Sequence, residues 1–319
     1  MEWPAELDAT HARHRRGATT VIVRRDWADA LPVERMLDGA PRSAWGRPVA
    51  HALAGRGAID VVETARGPIV AKALQRGGVL GALARRTFFD PMRPLREAAV
   101  AEALRRRGVD TPPVVAVRIR RAWPGWTLEL ATARRTDARD LLEVLVARGA
   151  GGAHGLARAL GRTLRRLHDL GLRHRDLQLK NLLVPDAVLE GDPDVALVVL
   201  DLDRCTLGPA LRETERARAL ARLGRWLAKR GRLDAATRWR SRVVVRAYVE
   251  AGAGDAAPVA TRPHEPQDAG DEPGEPGPDA SSRPVDPAGE ARAAAVRLWH
   301  ATRVRLVRDV RWHSRFWGR

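Results

Sequence analysis

The sequence predicts an α+β protein of two unequal lobes, a small antiparallel-sheet lobe with one helix followed by a larger helical lobe. Three observations carry this expectation. Short segments rich in β-branched residues occupy 58–132, amphipathic helical patterns dominate from 138 onward, and the polar residues suited to chemistry fall on both sides of that change. With 319 residues, 45% of them hydrophobic, the chain is long and apolar enough for a buried core and one or two domains.

Residues 1–44 read as an N-terminal extension and 45–134 as the smaller lobe. Within that lobe, 58–64 and 68–74 have the pattern of two strands around a turn at Arg66-Gly67. A helix follows over 94–107, stopped by Gly108 and then by Pro112-Pro113, and strands recur at 114–121 and 126–132. The larger lobe, 135–250, opens with helices at 138–147 and 155–170. The second of these sets Leu156, Leu160, Leu164 and Leu167 on one face and ends at Gly171. Short strands at 182–184 and 196–200 precede helices at 212–230 and 235–250.

Beyond the lobes the charge alternates in blocks. Residues 251–290 hold nine acidic residues against Arg262 and Arg283, a net of −7, in a Pro/Gly-rich linker composition that does not pack. Residues 291–319 carry eight arginines against Asp309, a net of +7. As a helix this tail gathers Val296, Trp299, Leu306, Val307, Val310 and Trp317 on one face. Arg297, Arg305, Arg308, Arg311 and Arg315 lie on the other, with Arg303 intruding on the apolar side. A basic amphipathic helix of this kind either docks on the globular body or lies on an anionic membrane.

The two blocks cancel, so the whole net charge of +17 belongs to residues 1–250. Such a chain concentrates near polyanions: nucleic acid, nucleotide phosphates or an anionic membrane surface. Aromatic residues are only 4% of the chain, and the interleaved stacking residues of single-strand binders are missing, so no specific nucleic-acid partner is expected. One cysteine, Cys205, excludes an internal disulfide framework and a Cys-based zinc cluster, and fits a reducing cytosol. The first twenty residues lack the apolar core of a secretory signal, and no apolar run approaches the roughly 18 residues of a membrane span. The expectation is a soluble or peripheral protein.

The chemistry concentrates in His174-Arg175-Asp176-Leu177-Gln178-Leu179-Lys180-Asn181, followed by Leu182-Leu183-Val184. Asp201, twenty residues after Asn181, lies within Val198-Val199-Leu200-Asp201-Leu202-Asp203. This is the spacing of a kinase catalytic loop, H-x-D-x-x-x-x-N, and of the apolar strand that delivers a metal-binding aspartate. Asp176, on a loop after a helix, can accept the proton of an attacking hydroxyl. Asn181 and Asp201 supply the hard oxygen ligands that suit Mg²⁺. A solvated polar turn would explain an isolated His-x-Asp, but not the loop, its asparagine, the downstream aspartate and the intervening strands in order.

The same reading asks for a strand lysine held by a glutamate on the next helix. Lys72, in Ile69-Val70-Ala71-Lys72, and Glu97 fill those places, with Glu102 as the competing partner. Only 3 of the 56 basic residues are lysines, and a compact ammonium makes a point contact with phosphate where a guanidinium fork is bulkier. Gly55-Arg56-Gly57 stands where a phosphate-covering turn belongs, so Gly55 and Gly57 are cofactor-binding candidates, an ordinary turn being the other reading. Gly77-Gly78 reads as a turn.

Four segments, GRGAIDVVETARGPIVAKALQRGGVL, PLREAAVAEALRRRGVDTPPVVAVRI, LHDLGLRHRDLQLKNLLV and VLDLDRC, together resemble the lipopolysaccharide kinase family over roughly residues 45–245, with the 3-deoxy-D-manno-octulosonic acid (Kdo) kinases as the nearest type. The resemblance implies a protein-kinase-like fold and ATP-dependent phosphorylation of a sugar hydroxyl, with Kdo linked to lipid A as acceptor at the cytoplasmic face of the inner membrane. It implies Asp176 as catalytic base, Asn181 and Asp201 as Mg²⁺ ligands, and Lys72 with Glu97 as the phosphate clamp. Asp203 and Arg204 match the family's D-F-D-R ending, read here as D-L-D-R. An aspartate in place of the protein-kinase D-F-G glycine argues against a mobile flip of that segment. Gln178 replaces the lysine common in protein Ser/Thr kinases and favours a glycan or small-molecule acceptor, while Lys180 either restores that positive charge or is a solvated loop residue. A related small-molecule kinase of the aminoglycoside-phosphotransferase type, a protein Ser/Thr kinase and a non-catalytic basic scaffold are the alternative readings.

Overall fold

The computed structural model describes residues 3–51, 59–75, 86–148, 154–189, 196–229, 235–254, 293–294 and 296–308. The Gly55-Gly57 and Gly77-Gly78 turns, nearly all of the acidic linker, and Val310 and Trp317 of the tail lie outside the described residues. The chain divides into two compact units, one of Met1–Ala153 with Leu167–Leu211, the other of His154–Arg166 with Arg212–Arg319.

The first unit is built on a mostly antiparallel α+β plan around a seven-stranded sheet. Its strands are β1 (His11–Arg16), β2 (Thr19–Arg24), β3 (Arg47–Pro48), β4 (Ile59–Thr64), β5 (Gly67–Ala73), β6 (Val114–Ala122) and β7 (Gly125–Ala133), in the order β1-β2-β6-β7-β5-β4-β3. All pairings are antiparallel. The 1–44 segment, which has no strand in the sequence reading, contributes β1 and β2 and then folds over one face of the sheet. Trp27, Leu31, Met36 of helix α1 (Val33–Leu37) and Trp45 pack there on Val21, Val23, Ile69, Ala71 and Val115. A pattern search misses this because Thr19–Val23 is buried on both faces and therefore does not alternate.

Strand alternation fixes which residues face the other way. On β5, Ile69 and Ala71 point into that core, so Lys72 points to the opposite face. Helix α2 (Arg93–Arg106) covers this second face with Leu95, Ala98, Ala101 and Leu104. Gly108, at φ 70°, ends it.

A second, three-stranded sheet, β10-β9-β8, is formed by β8 (Ala138–Asp140), β9 (Leu182–Pro185) and β10 (Val198–Val199). The sequence reading starts a helix at 138. The structure instead makes 138–140 a strand, and α3 (Leu141–Arg148) begins after it. The cause is Asp140, whose carboxylate accepts hydrogen bonds from the backbone N–H of Leu142 (2.7 Å) and Glu143 (3.1 Å) and so caps the helix one turn late. Helix α5 (Asp186–Leu189) follows β9.

Helix α4 spans His154–Asp169, and its residues through Arg166 belong to the second unit. The second unit adds α6 (Glu213–Lys229) and α7 (Ala235–Gly254). Gly161 of α4 lets the α7 backbone approach, since a Cβ there would stand 2.4 Å from the Val244 carbonyl oxygen. The tail is helical at 296–308, and its inward stripe is Leu298, Thr302 and Leu306, spaced four apart. Leu306 fills the space left by Gly224 of α6. The periodicity of the tail groups Val296 and Val307 with Leu306, but both are exposed, because the buried stripe starts two residues later, at Leu298.

Candidate active site

The loop after α4 is held by backbone geometry that starts at Gly171. Its φ is 76°, and a Cβ there would come 1.8 Å from the Gly208 carbonyl oxygen, so only glycine fits. Two residues on, Arg173 pairs with Thr206 as an antiparallel bridge. This ties the start of the 174–181 loop to the chain just beyond Asp201-Leu202-Asp203.

Within the loop, the buried His174 donates from Nε2 to the Leu200 carbonyl at 3.2 Å, and the Leu200 N–H donates to the Asn181 carbonyl at 2.8 Å. The strand end carrying Asp201 is thus fastened to both ends of the loop. The Asn181 amide donates to the Asp176 carbonyl at 2.7 Å, which closes the five-residue turn and leaves its Oδ1 as an acceptor for a ligand. The Gln178 amide donates to the exposed Asp176 carboxylate. Leu177 and Leu179 are buried, so the loop is anchored by apolar side chains while Asp176 and Lys180 face outward.

Asp201 follows β10, whose Val198 and Val199 are fully buried. The Thr111 hydroxyl holds the Val199 carbonyl at 2.7 Å. The backbone at Asp201 is left-handed, φ 56°, a strain that non-glycine residues carry mostly at functional turns. Arg204 shares that φ and is exposed.

Lys72 brings the two sides together. Its Nζ lies 3.3 Å from Glu97 Oε1 and 3.4 Å from Asp201 Oδ1. Glu97 is buried on α2, and its Oε2 has no hydrogen-bond partner. Burial alone would lower the pKa of the Lys72 ammonium, but the carboxylates of Glu97 and then Asp201 outweigh it and hold Lys72 above its ordinary value. Lys72 is therefore cationic at neutral pH. Burial pushes the Glu97 carboxyl up, opposed by Lys72. Glu102, the competing partner in the sequence, is instead bound to Arg24 of β2.

The structure adds a residue that sequence reasoning missed. Arg93, at the start of α2, binds Asp203 with two parallel hydrogen bonds, Nε to Oδ1 at 2.7 Å and Nη2 to Oδ2. Its guanidinium also stacks over the Phe88 ring, 5.1 Å from the centroid. With 53 arginines in the chain, nothing in the pattern marks this one. The thiol of Cys205 is buried, and burial pushes its pKa up to about 12, so it is not a nucleophile. Among the described residues no group of three His, Cys, Asp or Glu side chains is arranged to hold a metal ion, and no helix is long and apolar enough to cross a membrane.

Comparison with known proteins fits this geometry. Residues 46–246 match the model of the lipopolysaccharide kinase (Kdo/WaaP) family. Relatives named 3-deoxy-D-manno-octulosonic acid kinase include one from Vibrio cholerae, 26% identical over 155 residues that make up 47% of this chain and 62% of that protein. Another, from Photobacterium profundum, is 29% identical over 55% of this chain and 71% of its own length. A third, from Actinobacillus succinogenes, is 30% identical over 48% and 63%. A solved structure of WaaP in complex with acyl carrier protein is similar with a TM-score of 0.43 and 21% identity, covering 72% of this chain and 88% of that one. The matched stretch spans somewhat under two thirds of the Vibrio relative. The family match over 46–246 contains Lys72, Glu97, Asp176, Asn181 and Asp201. The chain belongs to the lipopolysaccharide kinase (Kdo/WaaP) family.

Proposed function

We propose that this protein is an ATP-dependent kinase of the lipopolysaccharide inner core that phosphorylates a hydroxyl of Kdo linked to lipid A. The observation that carries the reading is the meeting of Lys72, Glu97 and Asp201, beside a loop that presents Asp176 to solvent. Phosphoryl transfer needs positioning and charge neutralisation more than covalent chemistry, and these residues supply both.

In this reading Lys72, fixed by Glu97, holds the phosphates of ATP. Asp176, oriented by Gln178, accepts the proton of the attacking sugar hydroxyl. Asn181 Oδ1 and the half-exposed Asp201 carboxylate form a hard-oxygen donor set that fits Mg²⁺, with the nucleotide completing the coordination. Held by Asn181 and Asp201, a Mg²⁺ would supply neutralisation of the charge on the transferring phosphate. Asp203, bound by Arg93, and Arg204 support the loop. Lys180 faces outward from the same loop, where it can meet an anionic acceptor. Such an acceptor places the protein peripherally at the cytoplasmic face of the inner membrane.

The test is product mapping. Incubated with ATP, Mg²⁺ and Kdo-lipid A, the protein is expected to yield a glycolipid carrying one added phosphate on Kdo. Transfer to a protein substrate and not to the glycolipid would show that the acceptor is misassigned.

A further inference from the structure

The most exposed large apolar side chain of the described residues is Trp123, at 91%. It sits at the tip of the β6–β7 hairpin, where Ala122 pairs with Gly125. A second exposed aromatic lies alongside. Phe88 is bridged to Trp126 of the same hairpin, with both backbone N–H groups donating across at 2.8 Å, and its neighbour Phe89 is 60% exposed. Gly125 is needed for this approach, since a Cβ there would meet the Phe88 carbonyl oxygen at 2.2 Å. Arg120 and Arg121 precede the tip, both exposed, and alternation sends them to opposite faces of the hairpin. Arg121 stacks on Trp126, 4.5 Å from the ring centroid. Arg16, in the same cross-strand row as Arg120, is neutralised by Glu34 and Asp38 and adds nothing.

From this arrangement we infer that the β6–β7 tip, with Phe89, is the surface by which the protein docks on an anionic lipid bilayer. An indole on a protruding turn buries its ring at the headgroup boundary, and flanking guanidinium groups draw it to negatively charged lipid. The tip is a projecting turn and not a lined groove, which suits a bilayer better than the stacking channel of a nucleic-acid binder. The surface is also continuous with the candidate site. Phe88, whose neighbour Phe89 forms part of the tip, lies under the Arg93 guanidinium that binds Asp203. Docking there would bring the Asp201–Asp203 loop to the membrane edge, where a lipid-linked sugar is presented. This last step rests on the proposed function; the docking surface does not.

Vesicle co-sedimentation tests it. The wild-type protein is expected to partition at least tenfold more strongly onto vesicles of phosphatidylglycerol and phosphatidylethanolamine than onto phosphatidylcholine. Trp123→Ala combined with Phe89→Ala should lower partitioning onto the anionic vesicles at least fivefold, and Arg120→Glu should lower it while steepening nothing on phosphatidylcholine. All three positions are exposed, so thermal midpoints should match wild type. Val304→Asp, on the exposed side of the tail helix, should leave partitioning unchanged. Wild-type partitioning in the Trp123/Phe89 variant, or loss in Val304→Asp alone, would overturn the assignment, as would binding of RNA in preference to vesicles. Phosphorylation of a detergent-free Kdo oligosaccharide, followed in parallel, separates the two claims. Loss of docking with that activity intact supports the surface, whereas absence of that activity in the wild type counts only against the kinase reading.

Discussion

Two ion-pair networks occupy opposite faces of the same sheet, and they are built differently. On the face covered by the N-terminal segment, Glu129 of β7 is held through one oxygen by Arg118 and through the other by Arg42, at 2.8 Å, and Arg42 also binds Asp60 at 2.8 Å. Arg118 further donates to the carbonyls of Ala40 (2.6 Å) and Met36 (3.2 Å) and lies over the Trp45 ring. Each charged group there is paired with an opposite charge of the protein. On the other face Lys72 makes two long contacts, at 3.3 and 3.4 Å, the Asp201 carboxylate is 42% exposed, and Glu97 keeps an unpartnered oxygen. The first network uses guanidinium forks, whose fixed geometry suits permanent pairing; the second uses a point charge. A saturated network fixes segments of chain together, and an unsaturated one is ready for a ligand.

Substitutions can break this contrast. The largest effect is expected at Asp176: Asp176→Ala should reduce phosphate transfer by about 10²–10⁴-fold, the usual contribution of a positioned general base, with little change in stability. Lys72→Met should lower turnover by about 10²–10³-fold, as for loss of one charge-stabilising donor; Glu97, whose pKa burial already raises, can then take up a proton, so the protein stays folded. Arg93→Ala should cost about 10–100-fold, because Asp203 is released and the Asp201 loop loses its tether. Its mark as a positioning residue is that turnover falls more than ATP affinity.

Arg118→Ala should behave in the opposite way. It removes one of the two guanidinium groups that hold Glu129, which keeps Arg42, together with the bonds to the Met36 and Ala40 carbonyls, and should lower unfolding free energy by about 1–3 kcal/mol, read from urea midpoints, while the folded fraction keeps its activity. Equal activity losses in Lys72→Met and Arg118→Ala would dissolve the distinction between the faces. The smallest effect is at Cys205. Its folded pKa, about 12, lies above the unfolded thiol value, so its stability contribution is present below the unfolded pKa and fades as pH rises toward 12. Iodoacetamide at pH 8 should therefore modify it only after denaturation.

Much of the candidate site is legible in sequence because it is local. His174, Asp176 and Asn181 lie within one loop whose spacing is its geometry, and Asp201 follows a run of fully buried valines. Lys72 and Glu97 are readable because a lone strand lysine stands out among arginines. Arg93 is not readable: it and Asp203 are 110 positions apart, and their pairing depends on how α2 is set against the sheet. The same holds for β1 and β2, whose place beside β6 comes from long-range pairing that no local pattern encodes. The helix start expected at 138 fails at one residue, Asp140, whose side chain outcompetes the apolar periodicity that follows it.

If the Lys72 face of the sheet binds a nucleotide with a metal, as proposed, ATP binding there depends on both Mg²⁺ and Asp201. Calorimetric titration of ATP, with Mg²⁺ and with EDTA, into the wild-type protein and Asp201→Ala tests it most directly. Mg²⁺ should tighten ATP binding in the wild type, and Asp201→Ala should abolish this enhancement. An Asp201→Ala protein that binds ATP with the full wild-type response to Mg²⁺ would contradict it.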